Sequence, residues 1–231
     1  MNVASNTTLD LRGQYLTFAP GERSIIDIAG SENVTILGGV FDGQGQEWNE
    51  GRHMIRVLGA VNVTITDAEF RNPIGDGIYL DQGAAYVTIR NNRFFGSSQN
   101  RNGISVINAW NVWILNNHFV GMTRPGMPGA IDLEPDTADQ ACWDIHVERN
   151  IIEGGAGRGI QVYNEIAHAP QLGSIVIKRN VITGARDIAI ACHGSPNVTE
   201  GSVVVEQNEI TGAGTKLYVS QMQVTDDLRT R

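Results

Sequence analysis

Aromatic residues are scarce in this 231-residue chain, at 6%, and charged residues reach only 18%. Of the two signs, basic is the scarcer: 17 Lys and Arg stand against 25 Asp and Glu, a formal net charge of −8. That balance argues against nucleic acid as a partner, because phosphates need a Lys/Arg footprint. It also disfavours a bare polyanionic ligand unless a cation or a local basic patch intervenes. No apolar run is long enough to span a membrane. Residues 1–20 lack the basic start and apolar block of a signal peptide, although a mature secreted or virion-associated protein would lack them too. Only two cysteines are present, Cys142 and Cys192. In the register proposed below they fall two coils apart, about 9–10 Å at the usual strand spacing, too far for a bridge. Apolar periodicity of the helical kind is missing, and Gly or Asn interrupts the chain about every dozen residues, so no helix is expected.

What is present is a repeat. Val112-Trp113-Ile114-Leu115-Asn116-Asn117-His118-Phe119-Val120-Gly121 reads as a short strand, a polar corner, an apolar anchor and a glycine turn. The same grammar begins at Val87, Ile145, Ile175 and Val203, with degraded copies at Val34 and Val63. A unit returning every two to three dozen residues signals a solenoid. The Asn-Val-Thr triplets at Asn33, Asn62 and Asn197 read as Asn at the start of a strand rather than as glycan acceptors.

Each coil reads as two alternating strands followed by one further inward residue. The first strands place Ile26/Ile28, Ile55/Val57, Ile78/Leu80, Ile104/Val106, Ile131/Leu133, Ile160/Val162, Ile188/Ile190 and Leu217/Val219 inward. The further inward residues form a phenylalanine column, Phe41, Phe70, Phe94 and Phe119, continued by Ile152, Ile182 and Ile210. A corner column ends in five successive asparagines, Asn92, Asn117, Asn150, Asn180 and Asn208. These are expected to bond one another along the axis and to take up a left-handed backbone. The fold predicted is all-β: a right-handed parallel β-helix, a single-stranded solenoid of about seven to eight coils. It forms one domain over 1–231, with 1–23 an irregular or incomplete first coil and 221–231 a C-terminal tail.

This pattern resembles the right-handed parallel β-helix proteins of the pectate-lyase-like superfamily over nearly all of residues 24–220. The most telling segment runs from Asn102-Gly103-Ile104-Ser105-Val106 to Gly129-Ala130-Ile131-Asp132-Leu133-Glu134-Pro135. The resemblance implies a polysaccharide-degrading enzyme or a phage tailspike-like protein. The fold hosts lyases, hydrolases, epimerases and structural spikes, so it does not fix a reaction. The paired-Asp and Gly-His-Gly signatures of galacturonan hydrolases, the Asp-Pro-His motif of alginate epimerases and the Arg-centred motif of pectate lyases have no counterpart here. No family catalytic residue carries over.

Candidate site residues therefore rest on register. Outward residues of the first sheet form the column Asp27, Arg56, Tyr79, Ser105, Asp132, Gln161, Ala189, Tyr218. The next is Ala29, Leu58, Asp81, Ile107, Glu134, Tyr163, Ala191, Ser220. Asp132 and Glu134 flank the inward Leu133 and point outward together, roughly 6–7 Å apart by strand rise. They are the catalytic candidates, as acid and base of a glycoside hydrolase. Arg158, Tyr163, Tyr79, Asp81 and Asp76 are substrate-binding candidates, and Trp110 offers a further flat face. Asp136, Glu165 and His193 form a candidate metal set, for which Ca²⁺ is the candidate ion; no cofactor is otherwise implied. Insertions at 44–53, 121–129, 136–144 and 164–174 would wall the groove.

The function expected is cleavage of an extracellular or capsular polysaccharide along the first sheet, by hydrolysis rather than elimination. The alternative is a non-catalytic structural or glycan-binding rod, such as a spike segment. An extracellular or virion location follows from either. The protein is expected as a monomer or as a homo-oligomer through the solenoid's ends or faces.

Overall fold

In a computed structural model of the chain, residues 1–46, 49–96, 101–122, 124, 129–164, 172–194, 203–220 and 224–229 are described, 226–229 by backbone alone. Every strand pair is parallel, and the described residues contain no helix. One sheet has eight strands: Ser24–Ala29, His53–Leu58, Ile78–Asp81, Ile104–Val106, Ile131–Leu133, Ile160–Asn164, Ile188–Gly194 and Thr215–Ser220. The other has sixteen and folds into two walls, joined where the long strand Val203–Thr211 turns from one to the other. The result is a right-handed parallel β-helix with three faces, here called the first sheet, the second wall and the third wall.

Each coil thus holds three strands where sequence alternation suggests two. The coil through Ile104–Val106 continues into Ala109–Leu115 and closes with His118–Val120. The third strand was hidden because it is only three residues long, with a single inward side chain, Phe119, at its centre. That side chain is the expected further inward residue. Phe41, Phe70, Phe94 and Phe119 stack with ring centroids 4.6–5.0 Å apart. Ile152, Ile182 and Ile210 continue the column in register. All seven are buried, as ridges one strand spacing apart must be to exclude water from a narrow rod.

The asparagine ladder is as expected in its bonding. Asn150 donates through Nδ2 to Asn180 Oδ1 (3.1 Å) and to the Ile114 carbonyl (2.8 Å). Its own Oδ1 accepts from the amide and the Nδ2 of Asn117. The backbone expectation is displaced by one residue. Positive φ belongs to the preceding position: Asp67, Asn91, Asn116, Arg149, Arg179 and Gln207, all near +55°. The left-handed residue turns the chain and points outward, and the next residue then aims its amide inward along the axis. A second left-handed position recurs at Asn6, Asn33, Asn62, Tyr86, Asn111, Asp144 and Ser174. Asn33 and Asn62 thus sit at a bulge near the start of the second-wall strand, where Asn62, Asn33 and Asn6 form a short exposed ladder of their own.

The inward register holds from Ile26 to Val162, with Ile104, Ile131 and Ile160 directly above one another. It fails by two residues in the next coil. Ile190 and Cys192, not Ile188 and Ile190, stack on Ile160 and Val162. Cys192 is accordingly inside, as is Cys142 on the second wall, and both thiols are free. Leu217 and Val219 continue the inward column in register but stay half-buried and 41% exposed, respectively. Residues 1–23 supply strands Thr7–Asp10 and Tyr15–Thr17, which pair with the second and third walls of the next coil. Strand Val224–Arg229 pairs with Val203–Thr211.

Candidate functional site

Asp132 sits on the outer face of the first sheet, between the inward Ile131 and Leu133, as alternation requires. It is not in open water: only 1% of it is exposed. Side chains from the coils on either side roof it. Asn102 Nδ2 donates to Oδ2 at 3.1 Å, and Gln161 Nε2 donates to Oδ1 at 3.1 Å. Glu134, half-buried and two residues on, accepts from the same Gln161 Nε2 at 3.3 Å. The two carboxyl groups therefore bracket one amide nitrogen instead of standing a strand rise apart. Burial pushes the Asp132 carboxyl well above the usual carboxylate range, and the charge of Glu134 and a hydrogen bond shared with it push further in the same direction. Asp132 is thus the member of the pair that favours its protonated form.

Arg158 does not pair with Asp132. Its Nη1 contacts Gln161 Oε1 and lies 2.8 Å from His193 Nε2, and its Nε is 3.9 Å from Asp187. Gln161 is the link sequence reasoning passed over. Its amide faces the two acids and its carbonyl faces the arginine, although the outward column already placed it next to Asp132. The two-residue shift brings His193 beside Tyr163, where the rings stack at 4.5 Å. Burial, and then the charge of Arg158, lower the His193 pKa, which favours the neutral imidazole.

On the other side of Asp132 lies Asp76, fully buried and so out of reach of a polymer. Its Oδ1 accepts from Arg101 Nε (3.2 Å) and the Asn102 amide (3.3 Å). Its Oδ2 lies 3.3 Å from His53 Nδ1, which also approaches the Asp76 amide. Burial raises its pKa, but His53, Arg101 and the Asn102 amide more than offset that and hold the group ionised. Tyr79 stacks on His53 at 4.3 Å and reaches Asp81 Oδ2 at 3.4 Å. Burial first, and then Asp81, Asp136 and Asp76, push its phenol above the ordinary range. Arg101 had no motif to mark it, whereas His53 and Asn102 stand in register with Asp76 where the first-sheet strands begin. Together these side chains make a continuous polar band across six coils, from His53 to His193.

Asp136 and His193, the two members of the metal set within the described residues, do not share a column. His193 neighbours Tyr163 instead of continuing the Asp136 column, Asp136 is exposed on the loop after Pro135, and Glu165 lies outside the described residues. Among the described residues no cluster of three His, Cys, Asp or Glu side chains could hold an ion. Trp110 belongs to the second wall, away from the carboxylates. Cavities of about 430 and 340 Å³ lie at the N-terminal end, and neither is lined by Asp132 or Glu134. No helix among the described residues is long and apolar enough to cross a membrane.

No curated protein sequence matches the chain. Solved structures do, at low identity. An alginate lyase from Paenibacillus sp. FPU-7 superposes with a TM-score of 0.65 at 14% identity, over 93% of this chain and 72% of that one. A polygalacturonase from Erwinia carotovora gives 0.58 at 11%, over 100% and 85%. The Streptococcus pneumoniae surface protein and adhesin PfbA gives 0.55 at 13%, over 100% and 86%. These likenesses are of fold. Residues 24–225 match the family described as the right handed beta helix region, and with the stacked parallel coils already described, the chain belongs to that family.

Proposed function

We propose that this protein hydrolyses a glycosidic bond of a polysaccharide laid along the outer face of the first sheet. The observation that carries the reading is the meeting of the Asp132 and Glu134 carboxyls at one amide nitrogen, Gln161 Nε2, with Glu134 half-exposed on the outer face of the first sheet. One proton on two carboxyls serves both halves of a hydrolysis. Asp132 passes its proton to Glu134, which gives it to the leaving glycosidic oxygen. Glu134, then ionised, takes a proton from the attacking water and returns it to Asp132, so the pair regains its starting state. Glu134 is the group that meets the substrate; Asp132, behind it, keeps the proton in supply. Tyr163 and Arg158 on one side, and Tyr79 and Asp81 on the other, are the proposed sugar contacts. Asp76 drops out as a contact and becomes the charge that orients His53 and Arg101. An alginate lyase, a polygalacturonase and a surface adhesin of the same fold favour an extracellular setting.

Reducing-end release from a polysaccharide panel tests this. Positioned acid–base groups supply about 10²–10⁴-fold, so Glu134→Gln is expected to lose at least 10²-fold in kcat with the fold intact. Full activity in that variant removes the assignment. An unsaturated product absorbing in the ultraviolet would replace hydrolysis with elimination. The near-complete burial of Asp132 favours a second reading, a glycan-binding rod without turnover, in which the polar band is structural. No release from any polysaccharide by the wild type would select it.

A further inference from the structure

Three of the chain's four tryptophans stand on two adjacent coils of the second wall. Trp110 pairs in register with Trp143, and Trp113 with His146. The strand carrying them has its left-handed residue at Asn111, and the next has it at Asp144. That bulge turns Trp110 and Trp113 outward together, although they lie three residues apart.

The rings are seated. Trp143 lies over Gly173 of the following coil so closely that a Cβ there would come within 1.9 Å of the indole. Trp110 lies over Gly83 of the preceding coil, where a Cβ would come within 2.9 Å. Trp113 and His146 stack at 5.9 Å with nearly parallel planes. The Trp110 and Trp143 indoles are thus backed by bare main chain, yet each remains 40% exposed, and Tyr86 on the coil below is 53% exposed. Reaching from the Gly83 coil to the Gly173 coil, the aromatic surface extends about 14 Å along the axis at ~4.8 Å per coil.

We infer that this wall is a carbohydrate-binding platform for uncharged pyranose chains, separate from the first sheet. Flat aromatic faces held rigidly in water suit the C–H faces of sugar rings, and pre-seated rings lose little freedom on binding. The charges touching the platform select an uncharged ligand. Asp144 and Glu148 hold His146 between them at 3.3 and 3.2 Å, an acidic surround that repels uronate or sulfated sugars. The platform would hold a long polymer against the rod whether or not the first sheet cuts it.

Affinity electrophoresis tests this, in native gels containing dextran, galactomannan, xylan or mixed-linkage β-glucan, with alginate as the charged control. At least one neutral polymer is expected to retard the wild type, and alginate is not. The double variant Trp110→Ala/Trp143→Ala should weaken that retardation at least fivefold. Gly173→Ala, which keeps the indole but lifts it from its seat, should weaken it as well, with folding checked by thermal melts. Hydrolysis of a short soluble oligosaccharide by the double variant should equal that by the wild type, so failure of the hydrolytic site and failure of the platform are read separately. The inference is overturned if no neutral polymer retards the protein or if the double variant is retarded unchanged. It is also overturned if the double substitution only converts a sedimenting oligomer to a monomer, which would make the patch a contact between copies.

Discussion

Asp132 carries an electrostatic cost that the rest of the site maintains. Its folded-state pKa is raised above the unfolded value near 3.8, so the folded protein prefers the protonated form. The sign follows from linkage: below the unfolded pKa both states are protonated and folding bears no penalty. As pH rises from about 4 toward the folded pKa, the unfolded chain releases the proton first and stability falls. Asp132→Asn removes that dependence. Its melting temperature, relative to wild type, is expected to be most favourable near pH 7.5 and least favourable near pH 4, and parallel melts at the two pH values check it. Hydrolysis runs the same way, declining as pH climbs through the raised pKa because the proton donor is then lost. A pH–rate profile centred on an ordinary carboxylate value would contradict this. The outward placement of Asp132 is legible from alternation alone. Its burial is not, because Asn102 and Gln161, which roof it, come from coils about thirty residues away in either direction.

The corner between the second and third walls separates two roles that sequence runs together. Arg149 takes the left-handed turn, and Asn150 bonds the neighbouring coils. Arg149→Gly relieves a backbone strain of about 1 kcal/mol, offset by glycine's entropy cost, and should leave stability within about 1 kcal/mol of wild type. Asn150→Ala strands the Ile114 carbonyl and the Asn117 amide in the core. At about 1–3 kcal/mol per buried unsatisfied group, it should cost roughly 3 kcal/mol or more. Urea titration of the two variants distinguishes the positions; equal losses would mean the ladder is not what holds the corner. The ladder was readable because five asparagines recur at one offset. The turn residue was not, because Asp, Asn, Arg and Gln all occupy it, and only a backbone angle unites them.

As a whole, the rod is quasi-one-dimensional: each coil touches only its neighbours, so opening can start at an end and propagate. The two free thiols report on this from different depths. Burial pushes the Cys192 thiol up to about 12 and raises that of Cys142 well above its ordinary value, so neither reacts while its coil is closed. Beyond Cys192 only one described strand of the first sheet follows, Thr215–Ser220, whereas Cys142 has several strands stacked beyond it on both sides. Pulsed thiol labelling in moderate urea, read by peptide mass, should therefore find Cys192 modified first. Simultaneous labelling would mean that the solenoid opens as a single unit.

The amino-acid sequence alone determined the solenoid, the phenylalanine column and the asparagine ladder, because each coil repeats the same inward residues and stacking needs nothing more. It could not decide between Ile188/Ile190 and Ile190/Cys192, since a pleat of period two is unchanged by a slip of two residues. Only the coil beneath decided that, by seating Ile190 on Ile160 and so delivering His193 to Tyr163 and Arg158. The same holds for the raised pKa of Asp132: alternation set both acids on one face, but the shift depends on how much water the neighbouring coils exclude.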